Sequence, residues 1–181
     1  MAGSGGVNGT PRLAGRKGTP ARLAEIGVVA AVYAALVYIF PVSHLPLQMR
    51  VAEILKPLVI WEPHLIPAFV IGNFLGNLAS PFVGPWELIW MPFANVVGAW
   101  ACWRLGRMNP YLGAGIYAVI TAVAVATMFT FVLRGPFLAF LPPLLLSEML
   151  VIVLGVPVMR PVHLALHRVV RDRQTETAHG A

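Results

Sequence analysis

From Tyr111 to Leu133 the chain carries no charged side chain. A helix needs about 20 mostly apolar residues to cross a hydrocarbon core about 30 Å thick, and this run is long enough. Residues 23–40, 65–83, 86–103 and 136–159 have the same character, punctuated by Glu25, by Asn73 and Asn77, by Glu87 and by Glu148. Composition closes the soluble alternative. The chain is 58% hydrophobic and 11% charged, whereas a soluble domain carries about 25% charged residues. So few charges cannot clothe a surface in contact with water, so the apolar surface is expected to face lipid. The length of 181 residues suits one bundle and no second domain.

The stretch from Arg50 to Trp61 is apolar but short. As an α-helix it would reach only about 18 Å, and Pro57 and Pro63 interrupt or end it. Counting it gives six segments and places both termini and the Arg104–Arg107 loop on one side. Ten of the thirteen basic residues then lie on that side, which the positive-inside rule makes the cytoplasm. Counting five would put the basic tails on opposite sides. The expectation is an all-α polytopic six-helix bundle in the cell (cytoplasmic) membrane with both termini cytoplasmic. Residues 1–22 form a disordered basic arm, 23–160 the bundle and 161–181 a basic tail. Arg134 falls on the outer side against the rule. The net charge of +6 is spread along the flanks of apolar runs, which argues for a bilayer and against nucleic acid. The first apolar run is longer than a signal-peptide core, and no small-residue cleavage site follows it.

Threading six segments puts Arg50, Glu53, Asn77, Asn73 and Glu87 in the outer half of the bilayer and Glu148 near its middle, with Lys56 and Asn95 deeper. Ionisable groups inside a membrane are costly and mark a site by default. The competing reading is internal pairing: Arg50 with Glu53, and Asn73 with Asn77 as glue between helices. Glu62 and His64 fall at the inner turn, where they are expected to be solvated. Gly27, Ala31 and Ala35 recur at four-residue spacing on one face of the first segment. Such a face admits a second helix closely, either within the bundle or from a partner subunit.

Other chemistries lack their residues. Cys102 is the single cysteine, so no intrachain disulfide or cysteine zinc site is possible, and its apolar surroundings point to packing. His163 and His167 have metal-ligand spacing but no completing ligand nearby, so they read as a basic helix end. There is no G-x-x-x-x-G-K-[ST] loop, and the only lysines are Lys17 and Lys56. No G-x-S-x-G or H-E-x-x-H motif is present. No enzyme activity, cofactor or metal is expected, and ATP-driven uptake would need another subunit.

The stretch Leu47-Gln48-Met49-Arg50-Val51-Ala52-Glu53 resembles the Q-x-R-x-x-E signature of the QueT family. Ile66-Pro67, Ile71-Gly72 and Asn77-Leu78 resemble its next segment. Glu87, followed by a small-residue helix ending in Arg104 and Arg107, fits the segment after that, and Glu148 with Gly155-Val156-Pro157-Val158 resembles the last helix. The likeness runs over roughly residues 24–160. Two departures are Ser80-Pro81-Phe82-Val83-Gly84-Pro85, where a Gly-rich loop is usual, and the long N-terminal arm. The family comprises substrate-binding (S) subunits of energy-coupling-factor (ECF) transporters assigned to queuosine precursors. The resemblance implies an ECF S-component fold, a transmembrane coupling subunit and two cytoplasmic ATPases as partners, and substrate captured outside. A 7-deazaguanine presents adjacent N–H donors that one carboxylate can accept, a carbonyl that needs a donor, and a flat ring suited to stacking. Gln48, Arg50, Glu53, Asn73, Asn77, Glu87 and Glu148 are then the polar candidates, and Trp86 and Trp90 the stacking faces. The competing functions are an ECF subunit for another vitamin and a non-ECF small-molecule transporter.

Overall fold

The structure is a computed structural model and describes residues 19–40 and 50–179, with side chains through residue 165. Gln48, the basic residues of the N-terminal arm before Thr19, and the side chains of His167, Arg168, Arg171 and Arg173 lie outside the described residues.

The described residues are helical, with no strand among them. Helix α1 spans Thr19–Ile39, so its first turn takes in the last residues of the stretch assigned to the arm. Pro20 sits in that turn, where its missing N–H costs nothing. A 3-10 helix follows over Val51–Ile60, and a short 3-10 turn at Pro63–Leu65 leads into α2, Ile66–Asn77. One π-helical turn, Trp86–Trp90, precedes α3, Met91–Gly106. Helix α4 spans Pro110–Val132. Its N-cap, Asn109, accepts from the Tyr111 and Leu112 amides at 2.9 and 3.4 Å, and Pro110 takes the position where no donor is needed. Helix α5 runs Phe137–His179 through Pro142, Pro143, Pro157 and Pro161.

Among the described residues, three helices are long and apolar enough to cross a membrane: Thr19–Ile39, Pro110–Val132 and the Phe137–Ala165 part of α5. The other elements are shorter than the hydropathy pattern suggested. Residues 65–83 do not form one helix. Helix α2 stops at Asn77, and turns held by Ser80 N–H to Asn77 O and Phe82 N–H to Ser80 Oγ carry the chain to Gly84. Residues 86–103 are divided by the change from π to α register at Met91. Helix α5 continues from the bundle into the residues assigned to the tail, as far as His179.

The 3-10 helix lies at the centre of the packing, touching α1, α3, α4 and α5. Its ten residues rise about 20 Å, which makes it longer than the usual 3-10 run and still short of a hydrocarbon core. Pro57 explains part of this geometry. In i→i+3 register its missing N–H would have served Ile54 O, and α5 meets that carbonyl at Gly155. A Cβ on Gly155 would collide with Ile54 O and lie 2.9 Å from Pro57 Cγ. A similar close approach joins α3 and α4, where a Cβ on Gly113 would come within 2.6 Å of Cys102 O and Gly106 Cα. Two hydrophobic clusters fill the remaining space. One surrounds the 3-10 helix and includes Tyr33, Phe69, Cys102 and Tyr117. The other lies between α3, α4 and the start of α5, around Met91, Phe129 and Leu144.

Candidate functional site

A helix of three residues per turn eclipses positions i and i+3. Arg50, Glu53 and Lys56 are spaced by three, so the 3-10 helix lines up two cations and a carboxylate along one edge. All three are buried, as are Glu87, Glu148, Asn73, Asn77, Asn95, Thr121 and Ser147. These side chains come from the 3-10 helix, α2, the π turn, α3, α4 and α5, and together they form a charged interior in an apolar body.

Glu53 is held internally. Tyr33 O–H donates to its Oε1 at 2.7 Å, and the Lys56 ammonium pairs with its Oε2. Lys56 also donates to Thr121 Oγ1 at 3.2 Å and stands 4.5 Å over the Tyr117 ring, so its charge meets a carboxylate, a hydroxyl and a π face. Tyr117 O–H donates in turn to Asn95 Oδ1 at 2.9 Å, and Asn95 Nδ2 donates to Met91 O at 3.0 Å.

The π turn builds the next part. In its i→i+5 register the donor to Glu87 O would be residue 92, which is proline. Asn77 Nδ2 supplies that hydrogen bond at 3.2 Å and donates to Asn73 Oδ1 at 3.3 Å. The π turn thus places Glu87 inward beside α2, with Arg50 Nη2 at 3.9 Å from its Oε1. That separation is longer than a hydrogen bond.

Several buried polar atoms accept or donate no hydrogen bond: both oxygens of Glu87, both of Glu148, Asn73 Nδ2 and Asn77 Oδ1. Buried polar groups are normally satisfied, and each exception calls for a reason. These belong to side chains that the sequence had marked as candidates.

Among the candidates with described side chains, Arg50, Glu53, Asn73, Asn77, Glu87 and Glu148 are all buried in this interior. Trp86 and Trp90 are placed differently. Trp86 stacks on Phe131, with ring centres 4.7 Å apart and planes 8° from parallel, and Trp90 Nε1–H donates to Ala124 O at 3.0 Å. Both belong to the α3–α4–α5 hydrophobic cluster, and the aromatic rings in the charged interior are Tyr33 and Tyr117. Lys56 and Asn95 had been noted only as deeper polar residues, and Tyr33, Tyr117 and Thr121 were missed. The one available signal was the lysine itself, three residues after Glu53 in an apolar run.

Gly27, Ala31 and Ala35 are exposed on α1, and a Cβ on Gly27 would meet nothing within 4 Å. The opposite face, with Ala30, Tyr33, Ala34 and Val37, is buried. Near the start of α1, Glu62 and His64 are not solvated as expected. His64 Nε2 lies 2.7 Å from Glu25 Oε2 and its Nδ1 3.3 Å from Glu62 Oε2, while Glu62 Oε1 is 3.2 Å from His163 Nδ1. His163 also stacks on Trp61 at 5.7 Å. This second cluster ties α1, the 61–65 turn and α5 together. No metal-competent group of His, Cys, Asp or Glu occurs among the described residues.

An all-helical apolar body around a charged interior is the build of a membrane transporter. The family model for the QueT transporter matches residues 23–163, and the chain belongs to the QueT transporter family. Comparisons with curated proteins and with solved structures gave no match. The chain is a membrane protein with a substrate-binding transport role.

Proposed function

We propose that the chain is the substrate-binding subunit of an ECF-type importer and captures a 7-deazaguanine queuosine precursor at the extracellular side. The observation that carries this reading is the set of unsatisfied buried atoms: carboxylate oxygens on Glu87 and Glu148, an amide donor on Asn73 and an amide acceptor on Asn77. Two carboxylates ask for a ligand rich in N–H donors. The Asn73 donor asks for a carbonyl. A guanine-type edge offers adjacent N–H groups beside a carbonyl, and flat rings suit the Tyr33 and Tyr117 neighbourhood. Glu53 serves the site indirectly, by fixing Lys56 and Tyr33. Gln48 remains a candidate through the signature it shares with Arg50 and Glu53.

The same reading places the end of the bundle where α1 starts in the cytoplasm, with both termini there. The exposed stripe of Gly27, Ala31 and Ala35 is the face offered to the transmembrane coupling subunit, because small residues let helices approach closely. Two cytoplasmic ATPases then supply the energy. The test is equilibrium binding of 7-deazaguanines to the purified chain, and uptake with and without coexpressed ECF partners. Saturable binding by the chain alone, with accumulation only when the partners and ATP are present, is the expected result. Accumulation by the chain alone without ATP would assign it to secondary transport.

A further inference from the structure

The end of the bundle where α1 starts carries a second polar feature, apart from the charged interior. Contacts of His163 with Glu62, of His64 with Glu25 and of Gly106 with Ile60 bring α1, the 61–65 turn, the end of α3 and α5 together there. Between the α3–α4 loop and α5 lies a cleft of about 550 Å³, lined by Met108, Asn109, Tyr111, Val156, Pro157 and Arg160 among others. None of the residues lining it is acidic.

The walls of this cleft divide by chemistry. Arg160 borders it from α5. Arg107 immediately precedes Met108 in the chain, and Arg107 and Arg104 stand 6.0 and 5.8 Å from the Trp103 ring. All three arginines are exposed. Asn109 gives its Oδ1 to the first amides of α4, which leaves its amide NH2 to donate. The other wall is apolar and open: Met108 is 79% exposed and Tyr111 55%, with Val156 and Pro157 facing them across the cleft.

Depth decides what meets both walls. Helix α4 has 23 residues and so spans about 34 Å, slightly more than a hydrocarbon core of about 30 Å. Its first turn therefore reaches the headgroup layer, and the cleft straddles the boundary between acyl chains and headgroups. A tryptophan beside two arginines suits that level, with the ring at the interface and the guanidinium groups in the headgroups. A small anion from water would answer the arginines and leave the apolar wall uncovered. A zwitterionic lipid would cover the wall but bring a cation of its own to the arginines. A lipid with a net negative headgroup answers both.

We propose that this cleft binds one anionic glycerophospholipid, with its phosphate on Arg160, Arg107 and Arg104 as the surrounding cationic rim, and an acyl chain along Met108, Tyr111 and Val156. The bound lipid joins the α3–α4 loop to α5, so it stabilises the folded chain by mass action.

The experiment is thermal melting of the full chain in detergent micelles carrying increasing mole fractions of dioleoylphosphatidylglycerol or of dioleoylphosphatidylcholine, with glycerol 3-phosphate titrated separately as the water-soluble anion. Wild type is compared with Arg160→Gln and with Arg134→Gln, a control for unspecific charge, since Arg134 is exposed at the opposite end of α4. Wild type and Arg134→Gln are expected to show a saturable upward shift with phosphatidylglycerol, at least about twice that with phosphatidylcholine, and none with glycerol 3-phosphate. Arg160→Gln is expected to need about fivefold more phosphatidylglycerol for half its shift. A smaller ratio between the two lipids overturns the proposal, as does an Arg160 variant that responds like wild type or an equal loss in Arg134→Gln. A shift with glycerol 3-phosphate would give the cleft to a soluble anion and overturn the lipid. If Arg160→Gln does not fold, Arg107→Gln decides by the same criterion.

Discussion

Two clusters of ionisable side chains tie this bundle together, and they differ in what they leave over. Near the start of α1, Glu25, Glu62, His64 and His163 interlock, with each described imidazole within 3.3 Å of a carboxylate oxygen. Both ring nitrogens of His64 face carboxylates. The cluster is partly exposed and closed on itself. Around the 3-10 helix, the charges are more deeply buried and yet Glu87 and Glu148 keep unsatisfied oxygens. The ion pairs among its own members make the first a clasp. The incompleteness of the second, where desolvation is most expensive, makes it the candidate site.

The sharpest way to break this contrast is to remove Lys56. Lys56→Met leaves Glu53 buried with only the Tyr33 hydroxyl, and taking one partner from a buried pair costs about 3–5 kcal/mol. The melting temperature of the detergent-purified chain should fall accordingly, and Glu53→Gln in the same molecule should recover much of the loss. A single variant that melts like wild type would show that the pair is not ionised. Next in size is Gly155→Leu, which forces a side chain into Ile54 O and Pro57. Overpacking of this kind costs about 1–3 kcal/mol and should displace the 3-10 helix, so binding and melting temperature should fall together.

Glu87→Gln should separate the two properties. Ligand affinity is expected to drop at least tenfold, about 1.4 kcal/mol, while stability holds because Gln keeps the volume and removes a charge. His64→Gln should do the reverse: a loss of about 0.5–1 kcal/mol of stability, as for a partly exposed ion pair, with ligand affinity unchanged. A His64 variant that loses ligand binding would join the two clusters into one functional unit. The smallest effect on the isolated chain belongs to Gly27→Leu with Ala31→Leu. Both residues are exposed, so folding and binding should persist while copurification with the coupling subunit is lost. Retained copurification would remove this stripe from the interface.

Much of the architecture was legible because hydropathy is a local signal. The apolar runs located α1, α4 and the first part of α5, and the rarity of intramembrane charge singled out Arg50, Glu53, Glu87 and Glu148. What escaped depends on partners far away in sequence. Tyr33 and Glu53 meet across twenty residues, and Lys56 and Thr121 across sixty-five, so nothing near Lys56 in the chain announced its neighbours. Helix type escaped for another reason. Apolar residues look the same in 3-10, α and π registers, and only the prolines hint at the difference. Pro57 and Pro92 each delete one backbone donor, and the structure answers with Gly155 against Ile54 O and with Asn77 on Glu87 O. The solvated turn expected at Glu62 and His64 failed because Glu25 and His163 converge on it from opposite ends of the chain.

The period of the 3-10 helix also governs which changes in length this chain tolerates. Arg50, Glu53 and Lys56 share an edge only because each turn holds about three residues. Adding or deleting one residue between Arg50 and Glu53 would swing Arg50 by about 120° and set its guanidinium against the apolar packing. Adding three would restore the bearing but lift Arg50 about 6 Å along the axis, away from Glu87. Surface loops in general tolerate changes in length. Here the reading frame of a single turn is fixed by electrostatics.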